Sequence, residues 1–86
     1  MQRTASAHWS GGLKDGKGSL TTPSGVLKNT PYSFATRFES QPGTNPEELI
    51  GAAEAGCYSM ALSANLEKAG HPAKRISTTA TVNSRK

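Results

Sequence analysis

The chain is 86 residues long, enough for one small domain, and only 34% of its residues are hydrophobic, with one tryptophan, two tyrosines and two phenylalanines. A domain of this size and composition buries too little apolar surface to hold stability in reserve, so stabilisation by another chain is expected. The net charge of +4 comes from scattered basic residues, densest at Lys74, Arg75, Arg85 and Lys86. No basic stripe interleaves with exposed aromatics, and nucleic acid is not an expected partner.

A single cysteine rules out an intrachain disulfide. No basic segment followed by an apolar one marks a secretory signal, and no apolar run approaches the roughly 20 residues that span a bilayer. The chain is expected to be cytoplasmic, with no membrane partner.

Ala5, Ala7 and Trp9 alternate with Ser6, His8 and Ser10, the period of two of a half-buried strand. Gly11, Gly12, Gly16 and Gly18, with Asp15 preceding Gly16, supply turn chemistry before a second strand near Ser19 to Thr22. The chain therefore opens with a hairpin, which Pro23, Ser24 and Gly25 end. Further on, Tyr32, Phe34, Thr36 and Phe38 alternate with Ser33, Ala35 and Arg37. That pattern predicts a third strand with Arg37 directed away from the aromatic face.

After Gly43 a helix is expected from about residue 46 to 69. Thr44 or Asn45 can cap it, Pro46 suits the first helical position, and Glu47 and Glu48 in the first turn favour the helix dipole. Leu49, Ala53, Cys57, Met60 and Ala64 recur every three or four residues, widened by Ile50, Ala61 and Leu62, and form the expected apolar stripe. Gly70 fits a left-handed cap and Pro72 blocks continuation. Ile76, Thr78, Ala80 and Val82 alternate once more and predict a fourth strand. The fold class is then α+β, an antiparallel sheet of a hairpin plus further strands packed on one long central helix. The 86 residues are read as a single partial domain whose sheet looks unfinished.

Taken alone, one cysteine on a helix face is more often a small inert core residue than a nucleophile. Longer segments change that balance: Ala7-His8-Trp9, Gly16-Lys17-Gly18, Ser24-Gly25-Val26-Leu27, Thr36-Arg37-Phe38-Glu39, Gly43 through Ala53, and Ala55-Gly56-Cys57-Tyr58-Ser59-Met60-Ala61-Leu62. On these the chain resembles the osmotically inducible protein C and organic hydroperoxide resistance family of thiol peroxidases, the osmotically inducible branch fitting best. The resemblance covers this chain but only about the first half of a family member, whose remainder carries more sheet, a second helix and a resolving cysteine. The 86 residues are expected to be either a truncated product or a reduced form that relies on partner chains.

The resemblance implies that Cys57 is a peroxidatic cysteine, that Arg37 stabilises its thiolate and orients the peroxide oxygens, and that Glu47 holds the arginine by a carboxylate contact. It implies organic hydroperoxides as substrates, an external thiol or dithiol as reductant, an intertwined homodimer, and no metal or organic cofactor. Lys14 and Lys17 are weaker candidate cations, better read as exposed turn residues. His8 and His71 lack the neighbours a metal site needs. Trp9, Tyr32, Phe34 and Phe38 are read either as the lining of an apolar pocket for an alkyl hydroperoxide or, for most of them, as core. The rival function is a non-catalytic, dimerising structural module with an inert buried cysteine.

Overall fold

In the computed structural model, which describes residues 1–39 and 41–83, the opening hairpin forms as its alternation and glycines predict. Strand β1, Ser6–Ser10, pairs antiparallel with β2, Lys17–Thr21, and β2 pairs antiparallel with β3, Thr30–Tyr32. The strand order is β1-β2-β3. Pro31, which cannot donate to a ladder, sits on the edge strand, where its missing N–H costs least. Between β2 and β3 the predicted break is a turn closed by the Gly25 N–H donating to the Thr22 carbonyl at 3.0 Å, with Pro23 in its second position.

The register places Trp9, Gly18 and Tyr32 side by side in one row across all three strands. Glycine is required in the middle of that row. A β-carbon on Gly18 would come within 2.5 Å of Tyr32 Cε1 and 2.6 Å of Trp9 Cε3. Its absence lets the two flanking rings meet over the central strand, centroids 5.5 Å apart and planes tilted by 51°, a favourable aromatic arrangement.

The expected third strand over Tyr32 to Phe38 is corrected here. Strand β3 ends at Tyr32, and Phe34–Phe38 is a short helix, α1. Alternation could not decide the matter, because Phe34 and Phe38 satisfy both a period of two and the four-residue spacing of a helix. The deciding chemistry is a capping box. Ser33 Oγ accepts the Thr36 N–H at 3.3 Å, and Thr36 Oγ1 accepts the Ser33 N–H at 2.8 Å. This reciprocal pair satisfies two donors that a helix start otherwise leaves orphaned. Thr36 is buried, 9% exposed, and its carbonyl takes a 3.1 Å bond from Asn45 Nδ2. Arg37 therefore stands on a helix rather than on a strand.

The long helix α2 runs Pro46–Lys68 with Glu47 and Glu48 in its first turn, as expected. Its end is a Schellman motif: Gly70 has φ +82°, its N–H donates to the Glu67 carbonyl at 3.0 Å, and the His71 N–H donates to the Leu66 carbonyl at 2.8 Å. A left-handed residue here closes the last orphan carbonyls, and glycine adopts it without a steric penalty.

The predicted fourth strand is also corrected. Residues 76–83 form neither helix nor strand and pair with no strand among the described residues. The alternation itself is real: Ile76, Thr78, Ala80 and Val82 are half-buried while Ser77, Thr79, Thr81 and Asn83 are exposed. Its cause is contact with α2. Ser59 Oγ lies 2.7 Å from Thr78 Oγ1 while donating to the Ala55 carbonyl at 2.8 Å. With that proton committed, Thr78 is the donor to Ser59. About two turns towards the helix start, Gly51 is buried beneath Ala80 and Val82: a β-carbon on it would stand 3.6 Å from Val82 Cγ2.

The covered face of α2 thus runs through Gly51, Ala55, Ser59, Leu62 and Leu66. It is displaced by two residues from the expected stripe, about 200° around the axis. Of Leu49, Ala53, Cys57, Met60 and Ala64, only Leu49 is half-buried and the others are exposed. The chain divides into two compact units, Met1–Pro46 and Glu47–Asn83. Among the described residues no apolar side chain is fully buried, so Trp9, Tyr32, Phe34 and Phe38 are not a closed core. Arg85 and Lys86 of the predicted basic cluster lie outside the described residues.

Candidate functional site: an accessible thiol and an aromatic groove

Cys57 is a free, exposed cysteine near the middle of α2. Within its own chain the thiol is not buried, as the rival reading of an inert cysteine would have it without a partner. Its neighbours on that side are apolar and uncovered: Ile50 is 49% exposed, Tyr58 61% and Met60 77%. Helix geometry fixes its relation to Glu47, which is half-buried in the first turn. Ten residues separate the two by roughly 15 Å along the axis and about 80° around it. The helix does not bring the carboxylate and the thiol together. Nor does its N-terminal dipole act strongly on Cys57, since that effect fades within the first turn.

Arg37 belongs to the first unit. It occupies the last turn of α1, where a cation complements the helix dipole. Its guanidinium carbon stands 4.8 Å from the centroid of the Phe38 ring, inside the range of a cation–π contact. Phe34 and Phe38, one helical turn apart, have centroids 5.1 Å apart. These groups share a cavity of about 300 Å³ whose lining includes Trp9, Leu13, Tyr32, Phe34, Arg37 and Phe38. The four aromatics singled out in the sequence do gather round one space, and the arginine is part of its wall.

Leu13 was not legible as a lining residue, because it lies in the glycine-rich turn outside any periodic pattern. Ser33 and Thr36, which aim α1 and so Arg37, carried a signal that went unused: a hydroxyl residue followed three positions later by one able to bond back. Lys14, read as an exposed turn residue, places Nζ 5.9 Å from the Phe34 centroid. His8 and His71 are exposed, and no group of three or more His, Cys, Asp or Glu among the described residues could hold a metal ion. No helix among them is long and apolar enough to cross a membrane.

Fold and site define an α+β protein with one accessible thiol on a long helix and an arginine set among aromatic rings. Comparison with known proteins gives that class a family. Residues 38–86 match the family described as OsmC-like protein, and the chain belongs to it. Over 82 residues, 95% of the chain, it is 56% identical to Peroxiredoxin OsmC of Escherichia coli (strain K12) and, to the same degree, to Peroxiredoxin OsmC of Shigella flexneri. The chain spans 57% of the length of each of these relatives.

Proposed function

We propose that this chain supplies the peroxide-reacting part of a cytoplasmic thiol peroxidase that reduces organic hydroperoxides, and less efficiently hydrogen peroxide, in oxidative and osmotic stress. The observation that carries the reading is the position of Cys57: the one cysteine is accessible, on a segment inside the region shared with proteins named peroxiredoxin. In the reaction the Cys57 thiolate attacks the terminal peroxide oxygen, an S–O bond forms and the O–O bond breaks. The alkoxide leaves with a proton as the alcohol, and Cys57 remains as a sulfenic acid. Sulfur gives up two electrons and the peroxide accepts them.

Arg37 is the cation of the proposed site, because a guanidinium stays charged at any working pH and can hold thiolate and peroxide oxygens together. Glu47 would position that arginine through a two-oxygen carboxylate contact. The separation of Glu47 and Cys57 along one straight helix favours a site completed by a second copy of the chain, and the uncovered Ile50, Cys57 and Met60 side of α2 is the face such a copy would cover. An external thiol or dithiol is the proposed reductant of the sulfenic acid. One thiol displaces water from the sulfenic acid to give a mixed disulfide, and a second releases Cys57.

The test is steady-state reduction of an aryl hydroperoxide with excess dithiothreitol. Cys57→Ser should abolish enzymatic turnover, and Arg37→Met should lower kcat/KM about a hundredfold. Mixing Cys57→Ser with Glu47→Gln protein should restore part of the activity if the two residues act from different copies. Turnover by Cys57→Ser equal to that of the unaltered protein would end the proposal.

A further inference from the structure

Lys14 and Lys17 take no part in the proposed peroxide chemistry, yet both border another cavity of the first unit, about 460 Å³ in volume. The turn that carries them is fixed by two bonds: the Gly16 N–H donates to the Gly12 carbonyl at 2.9 Å, and Trp9 Nε1 donates to the Gly11 carbonyl at 3.1 Å. The facing wall is fixed as well, because it includes Ser33 of the capping box that starts α1. A backbone held in place before a ligand arrives has little ordering left to lose on binding.

The charge of this lining sets it apart. Its ionisable side chains are Lys14, Asp15, Lys17 and Tyr32, and the one carboxylate is turned back onto its own turn, Asp15 Oδ1 lying 2.7 Å from where a β-carbon on Gly12 would stand. Lys14 Nζ is 5.9 Å from the Phe34 centroid, at the long end of a cation–π contact. Among the described residues neither ammonium is held by a carboxylate. Two separate point cations on one concavity match an anion of double charge with divergent oxygens, as a phosphoryl group has, whereas a planar carboxylate is met best by the fork of an arginine. The space is larger than a phosphoryl group alone, and Pro31 and Tyr32 give it an apolar side.

We propose that this cavity binds a small phosphate ester, with the phosphoryl dianion between Lys14 and Lys17 and the organic part against Pro31 and Tyr32. The Ser33 hydroxyl, whose oxygen already accepts the Thr36 N–H, keeps its own proton to donate, and the Gln41 carboxamide adds further neutral donors to the same lining. The site uses no atom of Cys57 and is independent of the peroxidase reading.

The probe is phenyl phosphate, titrated into the unaltered chain at fixed ionic strength and about pH 8, above the second ionisation of the phosphoryl group, with binding followed by amide chemical shifts. Saturable shifts are expected at residues 14–18, Ser33 and Gln41. Lys14→Ala and Lys17→Ala should each raise Kd about fivefold, the contribution of one unit charge at contact distance in water. Lys28→Ala removes an equal charge from an exposed position outside the cavity and should leave Kd unchanged. Inorganic phosphate, which lacks the organic part, and benzoate, which lacks the second charge, should each bind at least about fivefold more weakly.

Shifts that stay linear up to the solubility of the ester would overturn the proposal. So would shifts spread over the basic surface, with Lys28→Ala weakening binding as much as Lys14→Ala, since the chain would then attract anions only through its net charge of +4. Benzoate binding as tightly as phenyl phosphate would exclude phosphoryl recognition, and inorganic phosphate binding as tightly as the ester would exclude a site for the organic part; either result overturns the proposal as stated.

Discussion

Gly18 shows how much can hang on a missing side chain. With Trp9 and Tyr32 on either side of it in the same cross-strand row, the β-carbon of an alanine has nowhere to go without moving a ring. Gly18→Ala should destabilise the first unit by about 1–3 kcal/mol, the usual cost of overpacking. Trp9 fluorescence during urea unfolding measures it, and an unchanged midpoint would mean that the rings shift freely and do not form a fixed wall. At this scale the sequence proposes residues but says little of their surroundings. Cys57, Arg37 and Glu47 stand in runs long enough to single them out. Leu13, by contrast, enters the groove through a turn whose path no local pattern encodes.

Among the elements, α2 and the hairpin were legible because their signals agree with one another: strand period and glycine turns in one, Pro46, the acidic first turn and Gly70 in the other. The segment from Tyr32 to Phe38 was misread because two periods fit the same aromatics and only the Ser33 and Thr36 bonds separate them. Ser33→Ala removes the side chain that accepts the Thr36 N–H and should cost about 1 kcal/mol, visible as faster amide exchange in α1. Exchange in α1 that does not change would show that side-chain packing, not the cap, sets this helix.

Residues 76–83 were misread for a different reason. A period of two reports burial of one side, and a helix surface can impose it as readily as a neighbouring strand. The contact between Ser59 and Thr78 tests that explanation. Ser59→Ala should cost about 1 kcal/mol and raise proteolytic cleavage within 76–83 while α2 keeps its helicity by circular dichroism. Equal cleavage in both proteins would mean that this hydrogen bond does not hold the segment down.

At the scale of the whole molecule, no apolar side chain is fully buried among the described residues. The apolar stripe read from the sequence exists, yet most of it faces outward, opposite to the side that Ala80, Val82 and Thr78 cover. A stripe legible in the sequence but uncovered within its own unit is open to packing that the described residues do not supply. Periodicity cannot reveal what supplies that packing. If a second copy covers the Ile50, Cys57 and Met60 face, the protein should sediment as a dimer. Met60→Lys, which would place an unpaired charge in that interface, should then weaken association at least tenfold, by roughly 1.4 kcal/mol or more. Identical sedimentation of the two proteins would remove that face from the interface.

Cys57 Sγ is the atom proposed to meet the peroxide, and one measurement addresses that directly: intact mass of the protein after a single equivalent of cumene hydroperoxide, with a sulfenic-acid trap present and Cys57→Ser alongside. The predicted result is loss of the peroxide within the mixing period and one trap adduct per chain, located at Cys57 and absent from the serine variant. Peroxide that persists as it does with the variant, with no adduct on Cys57, would contradict the account.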